Sequence, residues 1–155
     1  MHKVSLYTDG SSRFNGTERA VGGWSAILVS GEHRKTITGG EMHSTNNRME
    51  LRAVIEGVRA LKVPCEVTVY TDSTYVSGNA ARIRQWRSKN WKNAAGKEPK
   101  NLDLWNELIK VGLDGKHQIK FEKVAAHSGH EFNEACDRLA KEAADRTMIA
   151  NGWRV

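Results

Sequence analysis

Apolar and polar positions alternate with period two in Lys3-Val4-Ser5-Leu6-Tyr7-Thr8, and β-rich runs follow at Gly23 to Val29 and Arg34 to Thr38. Gly22-Gly23 and Gly31 punctuate these runs, which predicts a three-stranded meander. After Gly39-Gly40 the period changes. Leu51, Val54, Ile55, Val58 and Leu61 recur at helical spacing, and Pro64 stops that helix before an alternating strand over Val67 to Thr71. Ser73 to Trp86 reads as short helical pieces, Asn90 to Asn101 as exposed loop, Leu102 to Leu113 as helix and Gln118 to Val124 as strand. In the last helix Phe132, Ala135, Cys136, Leu139, Ala140 and Ala143 form one apolar stripe, which must pack on something flat. Early strands followed by strands alternating with helices predict an α/β fold: a five-stranded mixed sheet with helices against its faces.

Composition narrows the class. A chain of 155 residues, 39% hydrophobic and 27% charged, with two prolines, has the make-up of one ordered domain spanning 1–155 rather than of a disordered segment. The start, Met1-His2-Lys3-Val4-Ser5, turns polar at once, and no run approaches the ~18 apolar residues of a membrane span. A cytoplasmic location without membrane contact is therefore expected. Cys65 and Cys136 lack paired metal-site spacing and read as reduced structural thiols. The net charge of +6 has one source: residues 82–100 hold seven Lys/Arg against one Glu, leaving seventeen of each sign elsewhere.

Two segments end almost alike, Val4-Ser5-Leu6-Tyr7-Thr8-Asp9-Gly10-Ser11 and Val67-Thr68-Val69-Tyr70-Thr71-Asp72-Ser73-Thr74. Each aspartate shares parity with the tyrosine two positions before it, so its side chain points to that tyrosine's face of the sheet. On parallel neighbouring strands, ~4.8 Å apart, the two carboxylates lie side by side. Such a pair repels unless a divalent cation neutralises it, and all-oxygen ligands suit magnesium or manganese. Taken singly, each has an ordinary use: Asp9-Gly10-Ser11 as a turn, Asp72-Ser73 as a helix N-cap. Glu50, early in the first helix, suits a capping partner for Asn47. Asp137 suits a surface pair with Arg138 or Lys141. His127, before Ser128-Gly129, suits a solvated or hydrogen-bonding loop histidine.

The ordered set changes this. Tyr7-Thr8-Asp9-Gly10-Ser11, Thr45-Asn46-Asn47-Arg48-Met49-Glu50, Thr71-Asp72-Ser73-x-Tyr75 and His127-x-Gly129-x-x-x-Asn133-x-x-x-Asp137 together resemble the type 1 ribonuclease H family across essentially the whole chain. The resemblance implies a ribonuclease H-like fold and hydrolysis of the RNA strand of an RNA/DNA hybrid, leaving 5′-phosphate and 3′-hydroxyl ends. It implies Asp9, Glu50, Asp72 and Asp137 as metal-binding catalytic carboxylates, with His127 as an auxiliary catalytic histidine. Two magnesium ions, with manganese as a substitute, would lie ~3.5–4 Å apart. Substrate contacts fall by the same resemblance on Gly10, Ser11, Asn15, Asn46 and Asn47, with Thr45 on a DNA phosphate. The basic segment, where Arg84, Arg87, Lys89 and Lys92 alternate with Trp86 and Trp91, suits phosphates and sugars and is similar to the family's basic protrusion holding the DNA strand.

The chain departs from the family pattern in the loop Asn15-Gly16-Thr17-Glu18-Arg19-Ala20-Val21-Gly22-Gly23, at Thr74, where glutamine is frequent, and at Ala126, where glycine is common. Rival readings are a related DNA nuclease or transposase, a hybrid-binding module without catalysis, and a basic α/β protein with incidental acids. No obligate protein partner is evident, and a monomer is the default expectation. Trp24 and Trp105 read as core, while Gly152-Trp153-Arg154-Val155 is either a free tail or tucked on the sheet.

Overall fold

The computed structural model describes residues 1–80, 82, 100–125 and 130–152. Three strands lead, β1 (His2–Arg13), β2 (Val21–Ser30) and β3 (His33–Met42), followed by α1 (Asn46–Arg59), β4 (Cys65–Thr71) and α2 (Thr74–Ala80). After the segment 83–99 come α3 (Leu102–Asp114), β5 (Gln118–Lys123) and α4 (Glu131–Ala150). The strands form one sheet in the order β3-β2-β1-β4-β5. β1–β2 and β2–β3 are antiparallel, whereas β1–β4 and β4–β5 are parallel. This is the mixed five-stranded sheet that the hydrophobic pattern predicts.

Period-two alternation sends each strand's side chains to opposite layers. Val4 and Leu6 of β1, Ala26 and Leu28 of β2 and Val67 and Val69 of β4 face α1. There they meet Leu51, Val54, Ile55 and Val58, with Leu104, Trp105 and Leu108 of α3 completing the layer. Burying each large aliphatic side chain is worth about 1.5–3 kcal/mol. On the other face Tyr7 and Ile27 pack under Ala135 and Cys136 of α4. Trp24 packs with Met49 and Ala53, and Trp105 is buried, as their sequence contexts suggest. Both cysteines are free and buried.

The sheet runs further than the sequence pattern shows. Gly22-Gly23 lies inside β2 and Gly39-Gly40 inside β3, rather than between elements. The reason is close packing: a Cβ on Gly23 would stand 2.2 Å from the Ala140 carbonyl oxygen and 2.3 Å from the Ala144 nitrogen. Gly23 and Gly40 are the floor on which α4 lies, while Gly22 makes room for Met49 of α1 and Gly39 for the Trp24 ring. β1 likewise passes beyond Asp9 to Arg13, because its antiparallel ladder with β2 continues to Arg13↔Val21 after the parallel ladder with β4 has ended at Tyr7↔Tyr70.

Helix α1 is capped by Thr45, whose side chain accepts from the Arg48 N–H at 3.3 Å. It is tied to α3 by ion pairs, Arg48 to Asp103 at 2.7 Å and Arg52 to Glu107 at 2.9 Å. Among the described residues, no helix is long and apolar enough to cross a membrane.

Gly23→Ala should force α4 off the sheet and lose about 1–3 kcal/mol of stability. The check is urea unfolding followed by circular dichroism, with an unchanged midpoint counting against this account of the glycine floor.

Candidate active site

The site is set by where β1 and β4 stop pairing. Tyr7 and Tyr70, the last partners of the parallel ladder, stack with ring centres 4.9 Å apart and planes inclined by 14°. Asp9 and Asp72 each follow two residues later. Asp9 is still within β1, while Asp72 comes just after the end of β4. Ser73, not Asp72, caps the following helix, its hydroxyl accepting from the Val76 N–H at 3.1 Å.

Glu50 arrives from the α1 layer. A Cβ on Gly10 would lie 2.5 Å from the Glu50 nitrogen and 2.7 Å from the Met49 carbonyl carbon. The missing side chain therefore lets the helix backbone rest on the strand beside Asp9. Thr45 is the cap of α1, so Glu50 does not serve as a capping partner for Asn47. One carboxylate oxygen from each of Asp9, Glu50 and Asp72 lies within 4.8 Å of the others.

Asp137 belongs to α4 and lines the same cleft, of about 320 Å³, with Asp9, Gly10, Asn46, Asn47, Glu50 and Asp72. Its carboxylate accepts from Lys141 Nζ at 3.0 Å, one of the two surface partners its spacing suggests. Two bonds seat this part of α4 on the sheet: Ser25 Oγ donates to the Cys136 carbonyl at 2.6 Å, and Cys136 Sγ donates to the Tyr7 carbonyl at 3.3 Å.

Burial and mutual repulsion act together on these acids. Asp9 is pushed up to about 7, first by loss of solvent and then by the Asp72 charge, although the Gly10 N–H bonded to its Oδ1 at 2.9 Å pulls the other way. Glu50 is raised well above the usual carboxylate range, chiefly by burial and then by Asp9 and Asp72. Its buried Oε2 lacks a hydrogen-bond partner. Burying carboxyls so close together costs free energy unless positive charge is supplied. An orphaned buried oxygen and three converging carboxylates are a donor set that fits a hard divalent cation.

Of the other residues implied by resemblance, Ser11, Asn15 and Thr45 do not line the cleft. Asn15 sits exposed in the β1–β2 turn, and the Thr45 hydroxyl is engaged as the α1 cap. Ser73, Thr74 and Tyr75 also line the cleft, Thr74 being the position where the family pattern frequently has glutamine and Ser73 and Tyr75 belonging to the Asp72 motif. Their signal was their place directly after Asp72. His127 and the basic-segment residues Arg84, Trp86, Arg87, Lys89, Trp91 and Lys92 lie outside the described residues, as does Trp153.

Comparison with known proteins settles the family. The family model described as RNase H matches residues 1–145. The chain belongs to the RNase H family. It is 47% identical over 146 residues to Ribonuclease H of Erythrobacter litoralis, covering 94% of this chain and 98% of that one. It is 44% identical over 151 residues to Ribonuclease H of Clostridium botulinum, strain Hall, covering 96% and 100%. Among solved structures it resembles LC9-RNase H1, described as a type 1 RNase H with the type 2 active-site motif. The TM-score is 0.82 at 30% identity, over 94% of this chain and 74% of that one. The sheet order and helices are those of the RNase H fold, and enzymes of this family require a divalent metal.

Because the folded pKa of Asp9 lies above its unfolded value of 3.8, its contribution to stability is full below that value and is lost as pH rises through about 7. In EDTA, Asp9→Asn should therefore raise the melting temperature at pH 8 by roughly 8–16 °C, from about 4 kcal/mol, with little change at pH 4. Thermal melts at both pH values check it; equal shifts would exclude the electrostatic cause. Gly10→Ala should displace Glu50 and reduce metal-dependent activity more than tenfold, measured against its own melting curve.

Proposed function

We propose that this chain is an endoribonuclease that hydrolyses the RNA strand of RNA/DNA hybrids. The observation that carries the reading is the convergence of Asp9, Glu50 and Asp72 at the end of the β1–β4 ladder, in a chain of the RNase H family. Asp137 faces the same cleft from α4 and adds a fourth carboxylate.

Asp9, Glu50 and Asp72 would hold magnesium, with Asp137 completing a two-ion set and manganese as a substitute. When bound, such ions neutralise the attacking and leaving oxygens of an in-line displacement and lower the pKa of the attacking water. The chain's own part is to pre-position the acids. The Gly10 N–H and the α1 backbone fix Asp9 and Glu50 before substrate arrives, so little reorganisation remains for the moment of reaction. Asp9 and Glu50, both raised by burial and by neighbouring carboxylates, would have to be ionised to hold the ions, so metal affinity would rise with pH. Activity should accordingly climb as pH rises from 6 to 8.

Asn46 and Asn47, at the cleft edge, carry amides able to reach the minor groove, where the 2′-hydroxyl distinguishes RNA from DNA. Gly10, Ser11 and Asn15 would assist from β1 and its turn. Thr45 and the basic segment, with Arg84, Trp86, Arg87, Lys89, Trp91 and Lys92, would hold the DNA strand. His127 would aid proton transfer or product departure. Residues 1–155 would act as one catalytic domain, as a cytoplasmic monomer.

The test is cleavage of end-labelled RNA/DNA hybrid, duplex RNA, duplex DNA and single-stranded RNA, with magnesium or EDTA. Only the RNA of the hybrid should be cut, and only with metal. Asp9→Asn and Asp72→Asn should each slow cleavage by about 10³-fold, the equivalent of several kcal/mol of lost charge stabilisation. Preferential cutting of duplex DNA would support a related DNA nuclease instead, and binding without cleavage a hybrid-binding module.

A further inference from the structure

One face of β1 and the first turn of α1 run together as a seam beside the cleft. Gly10 and Ser12 share the strand face that turns Leu6 toward α1. Gly10 lies against the Met49 and Glu50 backbone, where a Cβ would not fit. Two steps along a strand cover about 6.8 Å and four residues of helix about 6 Å, so the next pair on the seam is Ser12 with Asn46. Here the Ser12 hydroxyl donates to Asn46 Oδ1 at 3.4 Å. That bond leaves the amino end of the amide free at the edge of the cleft that Asn46 lines. The acids in the cleft favour this arrangement, because an amide dipole turns its positive end toward carboxylates.

The backbone leading into α1 is settled. Thr45 caps the helix directly before Asn46, and the His43 N–H donates to the Ala20 carbonyl at 2.7 Å. What is left open is a half-turn of the amide, which exchanges its oxygen for its amino group. Ser12 suits either result. A hydroxyl donates one hydrogen bond and accepts two, so it can donate to the amide oxygen, as it does here, or accept from the amino group after the half-turn. Among the described residues the Asn46 side chain makes no other bond, so neither orientation breaks a contact elsewhere.

We propose that Ser12 and Asn46 form an adaptable reading pair, in which the hydroxyl backs whichever end of the amide faces inward. Cleavage is thereby made indifferent to the base pair that Asn46 touches. This rests on the reading that the cleft cuts hybrids and that Asn46 reaches the minor groove. There every base pair offers acceptors, purine N3 and pyrimidine O2, and a pair containing guanine adds one donor, its N2 amino group. The amino end of Asn46 meets the acceptors of any pair without guanine. Beside guanine a donor would face a donor, and the half-turn presents the oxygen to the N2 group instead. Each case keeps both bonds, one to Ser12 and one to the base.

The experiment compares wild type, Ser12→Asp, Ser12→Ala and Ser12→Thr on end-labelled hybrids that differ at a single base pair, scanned across the positions flanking the scissile phosphate. Kd is read by fluorescence anisotropy in EDTA, and KM and kcat by cleavage in magnesium. Wild type should treat all four pairs alike at every position. A carboxylate only accepts, so Ser12→Asp ties down the amino group and turns the amide oxygen outward. At one position its Kd and KM should favour guanine by about two- to tenfold, with kcat little changed. The added charge weakens binding to every hybrid alike and does not enter the ratio between them. Replacing that guanine by inosine, which lacks the N2 group, should erase the preference, and so should Asn46→Ala in the same variant. Ser12→Thr keeps a hydroxyl and should match wild type, whereas Ser12→Ala backs neither end and should bind all hybrids more weakly without a preference. Ser12→Asp protein as indifferent as wild type, or a guanine preference that survives inosine, would overturn the proposal. Wild-type protein that cuts no hybrid would overturn the reading of the cleft, and this proposal with it, before any variant is compared.

Discussion

The register of β1 against β4 is the constraint from which the site follows. Pairing Tyr7 with Tyr70 leaves Asp9 and Asp72 at equal distances past the last rung, and the stacked rings resist a slip. A shift of one residue would turn every side chain of one strand to the opposite layer, taking Leu6 and Val4 out of the core. The hydrophobic packing that stabilises the sheet is thus the same packing that aligns the acids. Glu50 depends on it in turn, because the backbone contact at Gly10 fixes α1 against the strand that holds Asp9.

The electrostatics run against folding. Two of the three clustered acids are buried, their proton affinities are raised by loss of water and by one another, and one oxygen has no partner. The core and the Arg48, Arg52 and Arg59 ion pairs with Asp103 and Glu107 offset that cost from outside the cleft. A site poised for cations is consequently least comfortable in neutral, metal-free solution. Stability and readiness for chemistry are separate properties here, supported by separate residues.

Much of the fold was legible because the two periods are so distinct. Leu51 to Val58 reads as helix and Val67 to Thr71 as strand without ambiguity, and the repeated Tyr-Thr-Asp ending exposed two carboxylates. The glycine pairs misled. Read as punctuation, Gly22-Gly23 and Gly39-Gly40 are strand residues whose lack of a Cβ is demanded by α4 at Gly23 and Gly40, by Met49 of α1 at Gly22 and by the Trp24 ring at Gly39, contacts that local pattern does not record. Glu50 and Asp137 were legible only as members of an ordered set, since each also has an ordinary local use, and for Asp137 that use, the Lys141 pair, is present as well. Tyr75 shows a further limit. Its hydroxyl accepts from Asn101 and Trp105, joining the cleft wall to α3 through residues 26 and 30 positions away.

The four acids are not anchored alike. Asp9, Glu50 and Asp72 stand where β1, α1 and β4 meet, around the sheet's centre. Asp137 is carried by one helix seated on glycines and on the bonds of Cys136 to Ser25 and Tyr7. Loosening the first turns of α4 would withdraw one carboxylate and leave the other three in place. The fourth wall of the cleft is thus a matter of how the last helix is seated, and the other three of how β1, α1 and β4 meet.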